Sequence, residues 1–198
     1  MVRMRSYLVI AALGTTVAGC GITPDLPRHF SIDDRFADDE QAQIRAAAEA
    51  WNVVGREYFG SDQILICDGT IGVPDGFNIS DFADDRHVAY LGINDANYQM
   101  LTSSLGPYAC GEGTLEDIVL FTFYMHYDGQ TREEYLNFLR MLATHELGHF
   151  LGLLHVMDDG QAVMAPSTVM REQGDHPNTL DTRDIQDFCR FHHCLKEP

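Results

Sequence analysis

The chain has 198 residues, which fits one compact domain, and its 13 Lys and Arg stand against 30 Asp and Glu for a formal charge of −17. That balance argues against a nucleic-acid binder, which needs a basic face to displace counterions from phosphate, and against attachment to anionic lipid through a polybasic patch. With 45% hydrophobic and 10% aromatic residues the chain can bury a core, which argues against wholesale disorder.

At the start of the chain Arg3 and Arg5 precede an apolar or weakly polar run of eleven residues, Leu8–Ala18. Such a run is too short to span a bilayer as a mature helix, but it suits the apolar region of an export signal. It ends Val17-Ala18-Gly19-Cys20, and small residues directly before a Cys resemble the lipobox of bacterial lipoproteins. The resemblance implies a signal peptide over 1–19, lipidation of Cys20, and a tether over 20–28 that carries Pro24 and Pro27. The alternative is an ordinary signal with an incidental Cys. Cleavage before Cys20 removes Arg3 and Arg5 and leaves 179 residues with a formal charge of −19. The expected address is the bacterial cell envelope, with the folded domain periplasmic or extracellular. Gly21 is not the Asp that commonly holds lipoproteins at an inner membrane, so the outer membrane is favoured where there are two.

His29–Asp33 reads as a short first strand. A helix capped by Asp38 or Asp39 follows and runs to about Tyr58, with Ile44, Ala47, Ala48, Trp51 and Tyr58 on one face at helical spacing. Gln63–Cys67 and His87–Ile93 read as strands, separated by a Gly-, Asp- and Pro-rich loop over 69–85. Leu105–Cys110 is a short strand candidate, and Ile118–Met125 is apolar on both alternating faces, as suits a strand covered on both sides. Thr131 and Glu134 fit a capping box that opens a helix reaching about 152, where Gly152 supplies a natural stop. A last helix begins near Asp181, with Asp184 near its positive end and Leu180 and Ile185 placed as a hydrophobic staple. Beyond Cys20 four cysteines remain, and in an exported protein an even number suggests two disulfides. Cys67–Cys110 with Cys189–Cys194 is the preferred pairing, and one bridge with free thiols is the alternative. Five residues separate the second pair, so any helix there ends before the bridge can close.

The densest chemistry lies in the run from His145 to His155, HELGHFLGLLH. His145 and His149 are four residues apart, so on a helix they project from one face, one turn apart, and can share a Zn²⁺. Glu146 adjoins the first ligand, where its carboxylate can reach a metal-bound water. Gly152 permits a sharp turn that brings His155 back as the third ligand. Three protein nitrogens leave a tetrahedral ion one open position, the arrangement of a catalytic site. The alternative is a set of ordinary surface or core histidines.

This run resembles the extended zinc-binding motif of the metzincin metallopeptidases, in wording close to the matrixins. Val163-Met164-Ala165-Pro166, nine residues after His155, resembles the methionine turn that those enzymes carry beneath the metal. Pro166 stands where astacin-like and serralysin-like members place a Tyr, so no extra ligand is implied. The resemblance implies an α+β, metzincin-like domain over 29–198. It would have a twisted mixed five-stranded sheet, the zinc helix over about 132–152 and a small C-terminal subdomain over about 156–198. It implies one catalytic Zn²⁺ on His145, His149 and His155, with Glu146 as general base and Met164 as a structural residue. The implied activity is zinc-dependent endopeptidase action on protein or peptide substrates by a monomer. An extended substrate would add to an edge strand, with Leu105–Cys110 as the candidate, and Ser167–Gly174 would wall the pocket beyond the cut. Only His87 and His126 lie between the second strand and the zinc helix, so the structural zinc of vertebrate-type matrixins is not carried over.

Asp75, Asp81, Asp84 and Asp85 could bind Ca²⁺, with a solvated acidic loop as the favoured reading. His192-His193 could form a second metal site, with a helix end beside a disulfide favoured instead. The alternative function is a non-catalytic surface binding lipoprotein on a metzincin scaffold.

Overall fold

Alternation of apolar and polar residues in short runs needs a partner strand before it becomes structure, and here the partners form a single sheet. In the computed structural model the described residues are 24–73, 87–91, 111–113, 117–120, 128–156, 162–165 and 179–198. Five strands, β1 (Arg28–Asp33), β2 (Leu65–Ile71), β3 (Val88–Leu91), β4 (Gly111–Gly113) and β5 (Ile118–Leu120), lie in the order β2-β1-β3-β5-β4. β1 runs parallel to β2 and β3, and β3 runs parallel to β5. β4 alone is antiparallel, pairing Gly111 with Leu120 and Gly113 with Ile118 at the sheet edge. The sheet is therefore mixed and five-stranded, as the metzincin resemblance implies.

Among the described residues three α-helices accompany the sheet: α1 (Asp38–Val54), α2 (Arg132–Phe150) and α3 (Thr182–His192). α1 begins one residue earlier than an aspartate cap would have it. Ala37 is the N-cap, Asp38 and Asp39 occupy the first turn, and the Ala37 amide donates to Glu40 at 2.9 Å. Its far end widens into a π-helical turn, Gly55–Phe59. α2 keeps the predicted box: the Thr131 hydroxyl accepts from the Glu134 amide at 3.2 Å, and the Thr131 amide donates to Glu134 at 2.8 Å. α3 is capped by Asp181, which accepts from the Arg183 amide at 2.9 Å, and Leu180 and Ile185 are both half-buried against the core.

β2 continues through Cys67-Asp68-Gly69-Thr70 to Ile71, residues whose composition reads as the start of a loop. Pairing decides the matter: Ile32 faces Thr70 and Asp33 faces Ile71 across the ladder, beyond a register shift that follows Phe30. The described edge strand lies at Gly111–Gly113, just after the expected Leu105–Cys110, which falls outside the described residues. The aspartates 75, 81, 84 and 85, Ser167–Gly174 and Cys20 also lie outside them.

Cys189 and Cys194 form the expected disulfide, with their Cα atoms 4.7 Å apart. The helix ends first, at His193, whose φ of 57° turns the chain back. The preferred partner bridge is corrected by the structure. Cys67 is a free thiol, 3.8 Å from the Gly69 carbonyl oxygen on its own strand, and Cys110 lies outside the described residues.

The core joins Phe30 and Ile32 of β1, Ala89 of β3 and Ile118 and Leu120 of β5 to Ile44 and Trp51 of α1 and Leu139, Leu142, Leu147 and Phe150 of α2. Trp51 also ties the two long helices together, donating from its indole to the Thr144 carbonyl at 2.9 Å. No helix among the described residues is long and apolar enough to cross a membrane.

Asn52 is the buried polar residue that joins α1 to β2. Its amide nitrogen donates to Leu65 O at 2.9 Å, and its oxygen accepts from the amides of Ile64 and Leu65, each at 2.9 Å. Asn52→Ala strands these backbone groups without water. We expect a loss of about 2–4 kcal/mol in denaturant unfolding, and a loss below about 0.5 kcal/mol would contradict this account.

Candidate metal centre

α2 is buried along most of its second half, including Leu142, Ala143, Thr144, His145, Glu146, Leu147 and Gly148. A helix enclosed on this scale can place polar side chains inside the protein, provided each finds a partner. His145 is 4% exposed and Glu146 is equally enclosed at 4%. His149, one turn on, is half-buried, as is His155.

After α2 the chain turns through Gly152, where φ is +90°. A Cβ at Gly152 would lie 2.7 Å from Phe191 Cε1 and 3.2 Å from Pro24 Cδ, so both conformation and space call for glycine. The turn closes through Gly152 N to His149 O at 2.8 Å and Leu153 N to Gly148 O at 2.9 Å. It returns His155 to the two helical imidazoles. The Nε2 atoms lie 3.1 Å apart for His145 and His149, 3.2 Å for His145 and His155, and 3.2 Å for His149 and His155.

These separations test the donor set against zinc. Two nitrogens bound at about 2.0–2.1 Å with tetrahedral angles stand about 3.3 Å apart, close to all three observed values. The tautomers agree. His145 Nδ1 donates to Val163 O at 2.6 Å and His149 Nδ1 donates to Leu153 O at 2.8 Å, which leaves both Nε2 lone pairs facing inward. Among the described residues these three histidines are the group that could hold a metal ion.

Electrostatics points the same way. Burial pushes His145 well below the ordinary imidazole range, with the neighbouring His149 and His155 adding to the shift and the Val163 carbonyl opposing it. Burial, then His155, lowers His149 to about 4, and burial lowers His155 as well. All three are neutral at neutral pH, the form in which imidazole binds a cation.

Beneath them sits Met164, fully buried. A Cβ on Gly148 would collide with Met164 Sδ and lie 3.1 Å from Trp51 Cζ2, so Gly148 lets the methionine approach the helix backbone. The methionine turn is held by a residue the sequence pattern does not single out for it. Asp184 is buried, and its carboxylate accepts from the amides of Val163 at 2.9 Å, Met164 at 2.9 Å and Asp181 at 2.8 Å. Burial raises its carboxyl, while those amides pull it back down. The sequence signal was the spacing of Asp181 and Asp184, which marks a helix start. The second task, across 20 residues to Met164, exists only in the fold. His192 also has a structural employment: it is 6% exposed and bonds the Leu151 carbonyl at 2.8 Å, which removes it from the candidate second metal site.

Converging imidazoles on a helix and its following turn, with a buried methionine turn and a mixed sheet, make up a domain of the metzincin kind. The chain belongs to the matrixin family, whose model matches residues 26–191. It is similar to a serralysin of Proteus mirabilis, 30% identical over 125 residues that make up 62% of this chain and 23% of that protein. The chain thus spans about a quarter of that relative's length. Among solved structures it is similar to an archaemetzincin from Methanopyrus kandleri, with a TM-score of 0.49 and 16% identity over 82% of this chain and 95% of that one.

Two outcomes follow from this geometry. Gly148→Ala drives a methyl group into Met164 and Trp51. We expect a loss of about 1–3 kcal/mol by denaturant titration, and unchanged stability would show that the packing gives way freely. The second concerns pH in the metal-free protein. His149 has a folded pKa of about 4 against an ordinary 6.5, so between these values the unfolded chain binds protons that the folded chain refuses. Stability therefore falls as pH drops through that window, with a slope of up to about 1.4 kcal/mol per pH unit for each such histidine. Unfolding of the metal-free protein at several pH values should show the slope, and His149→Gln should reduce it.

Proposed function

We propose that this protein is a zinc-dependent endopeptidase in which His145, His149 and His155 hold the ion and Glu146 is the general base. The observation that carries the reading is the triangle of Nε2 atoms at 3.1–3.2 Å, which fits tetrahedral zinc with one position left open. When bound, zinc supplies Lewis acidity, bringing a water toward neutral pKa and polarising the scissile carbonyl. Glu146, which adjoins the first of the three histidines, would accept a proton from the attacking water and give it to the leaving amine. Its burial keeps bulk water from competing for the carboxylate. Met164 packs against Gly148 of α2, and the Asp184 carboxylate ties that turn to the start of α3.

The edge position of β4, antiparallel to β5 and lying against α2, supports a substrate that adds as a further extended strand. We also take the protein to be exported and lipid-anchored through Cys20, on the strength of the apolar run and the Val17-Ala18-Gly19-Cys20 sequence. Fatty-acid labelling of the full chain should be lost in Cys20→Ser.

The decisive experiment measures zinc content and cleavage of an unstructured protein by wild type and Glu146→Ala. We expect stoichiometric zinc in both and a drop in kcat/KM of at least about 100-fold in the variant. Cleavage unaffected by Glu146→Ala or by a chelator would overturn the proposal. Zinc binding without hydrolysis of a broad peptide library would favour a non-catalytic binding protein.

A further inference from the structure

The end of α2 leaves carbonyl oxygens that no further helical turn can satisfy. Leu147 O accepts from the Leu151 amide at 2.9 Å, Gly148 O from Leu153 at 2.9 Å, and His149 O from Gly152 at 2.8 Å. The next two carbonyls are met from outside, by opposite ends of the chain. Arg28, at the start of β1, donates from Nη1 to Phe150 O at 2.7 Å, across 122 residues. His192, in the last turn of α3, bonds Leu151 O at 2.8 Å, and because a carbonyl can only accept, its Nε2 carries the proton.

Both donors are enclosed. Arg28 is 9% exposed and lies over the Phe150 ring, 3.9 Å from its centroid. A buried cation there meets the negative end of the helix dipole as well as the carbonyl. The His192 ring packs on Phe188, with centroids 4.6 Å apart. The two carbonyls they hold stand directly before Gly152, where the chain leaves the helix. The turn that begins there does two things for the metal site. It delivers His155, and it carries Leu153 O, the acceptor that orients the His149 ring at 2.8 Å.

We propose that Arg28 and His192 are positioning residues for the metal centre, acting as a two-sided clamp on the end of α2 that sets where His155 stands relative to His145 and His149. The inference rests on the zinc-site reading of these three histidines. It assigns to the first strand and the last helix, which supply none of the ligands, a share in metal affinity.

The test uses the holoprotein and reads zinc affinity by competition with a chromophoric chelator, together with the absorption spectrum of the cobalt-substituted protein, well below the melting temperature. Arg28→Met keeps the stem and removes the guanidinium donors, and His192→Phe keeps the ring and removes the hydrogen bond. We expect each to weaken zinc binding about 10-fold, within the range found for outer partners of metal ligands, and to alter the cobalt spectrum. Arg28→Lys and His192→Gln, which restore a donor, should recover part of the loss. Thr131→Ala, which loses the cap at the opposite end of α2, should bind zinc as tightly as wild type. If Arg28→Met does not fold, His192→Phe decides alone. Wild-type affinity and an unchanged spectrum in the folded variants would overturn the clamp, as would equal weakening in Thr131→Ala. A wild type that binds zinc without hydrolysing peptides removes the peptidase reading and leaves the clamp standing, whereas a wild type that binds no zinc removes both.

Discussion

Three neutral imidazoles with their Nε2 lone pairs converging at 3.1–3.2 Å repel one another unless a cation sits between them. The rest of the structure keeps them there. Rotation of His145 would break its bond to Val163 O, and rotation of His149 would break its bond to Leu153 O. Protonation would relieve the convergence by charging the rings, but burial makes that costly. A divalent cation placed between them would turn that convergence into coordinate bonds, and rings already fixed in this way would leave little reorganisation for the moment of binding.

The two acceptors that fix the rings belong to different segments, and each segment is itself secured by a buried polar residue. Val163 O lies in the methionine turn, whose amides are gathered by Asp184 at the start of α3. Leu153 O lies in the turn after α2, where Arg28 and His192 take the preceding carbonyls. Remote parts of the chain thus meet around one helix end. α3 contributes twice, from its first turn through Asp184 and from its last through His192. The Cys189–Cys194 disulfide closes the chain directly behind that last turn.

Much of this was legible in the sequence because it depends on local rules. The spacing of His145, His149 and His155, with Gly152 before the last of them, states how the three imidazoles converge almost without context, and the Thr131–Glu134 box marks where the helix starts. The strands were legible as apolar runs, but their ends were not. β2 runs past the Gly–Asp composition at Asp68-Gly69 because β1 offers a ladder there. The Cys67–Cys110 pairing failed for a related reason: an even cysteine count constrains number and says nothing about which thiols meet. Asp184, Arg28 and His192 could be read only as a capping residue, a tether residue and a helix-end histidine. Their further partners lie 20, 122 and 41 residues away, separations over which no periodicity carries information.

Burial of α2 also explains why the site tolerates so little freedom. A surface helix can slide or tilt by repacking one stripe of side chains. α2 instead touches α1 through Trp51, the methionine turn through Gly148, and the first strand through Arg28, so a shift in any direction breaks a buried contact. The most constrained position is Gly148, between the two helical histidines. There the absence of a side chain lets Met164 reach the helix, and the same closeness leaves the helix no room to rotate about its axis. Rotation is the motion that would carry His145 and His149 together away from His155, so Gly148 guards the spacing of the three imidazoles on the helix side while the turn at Gly152 sets it on the other.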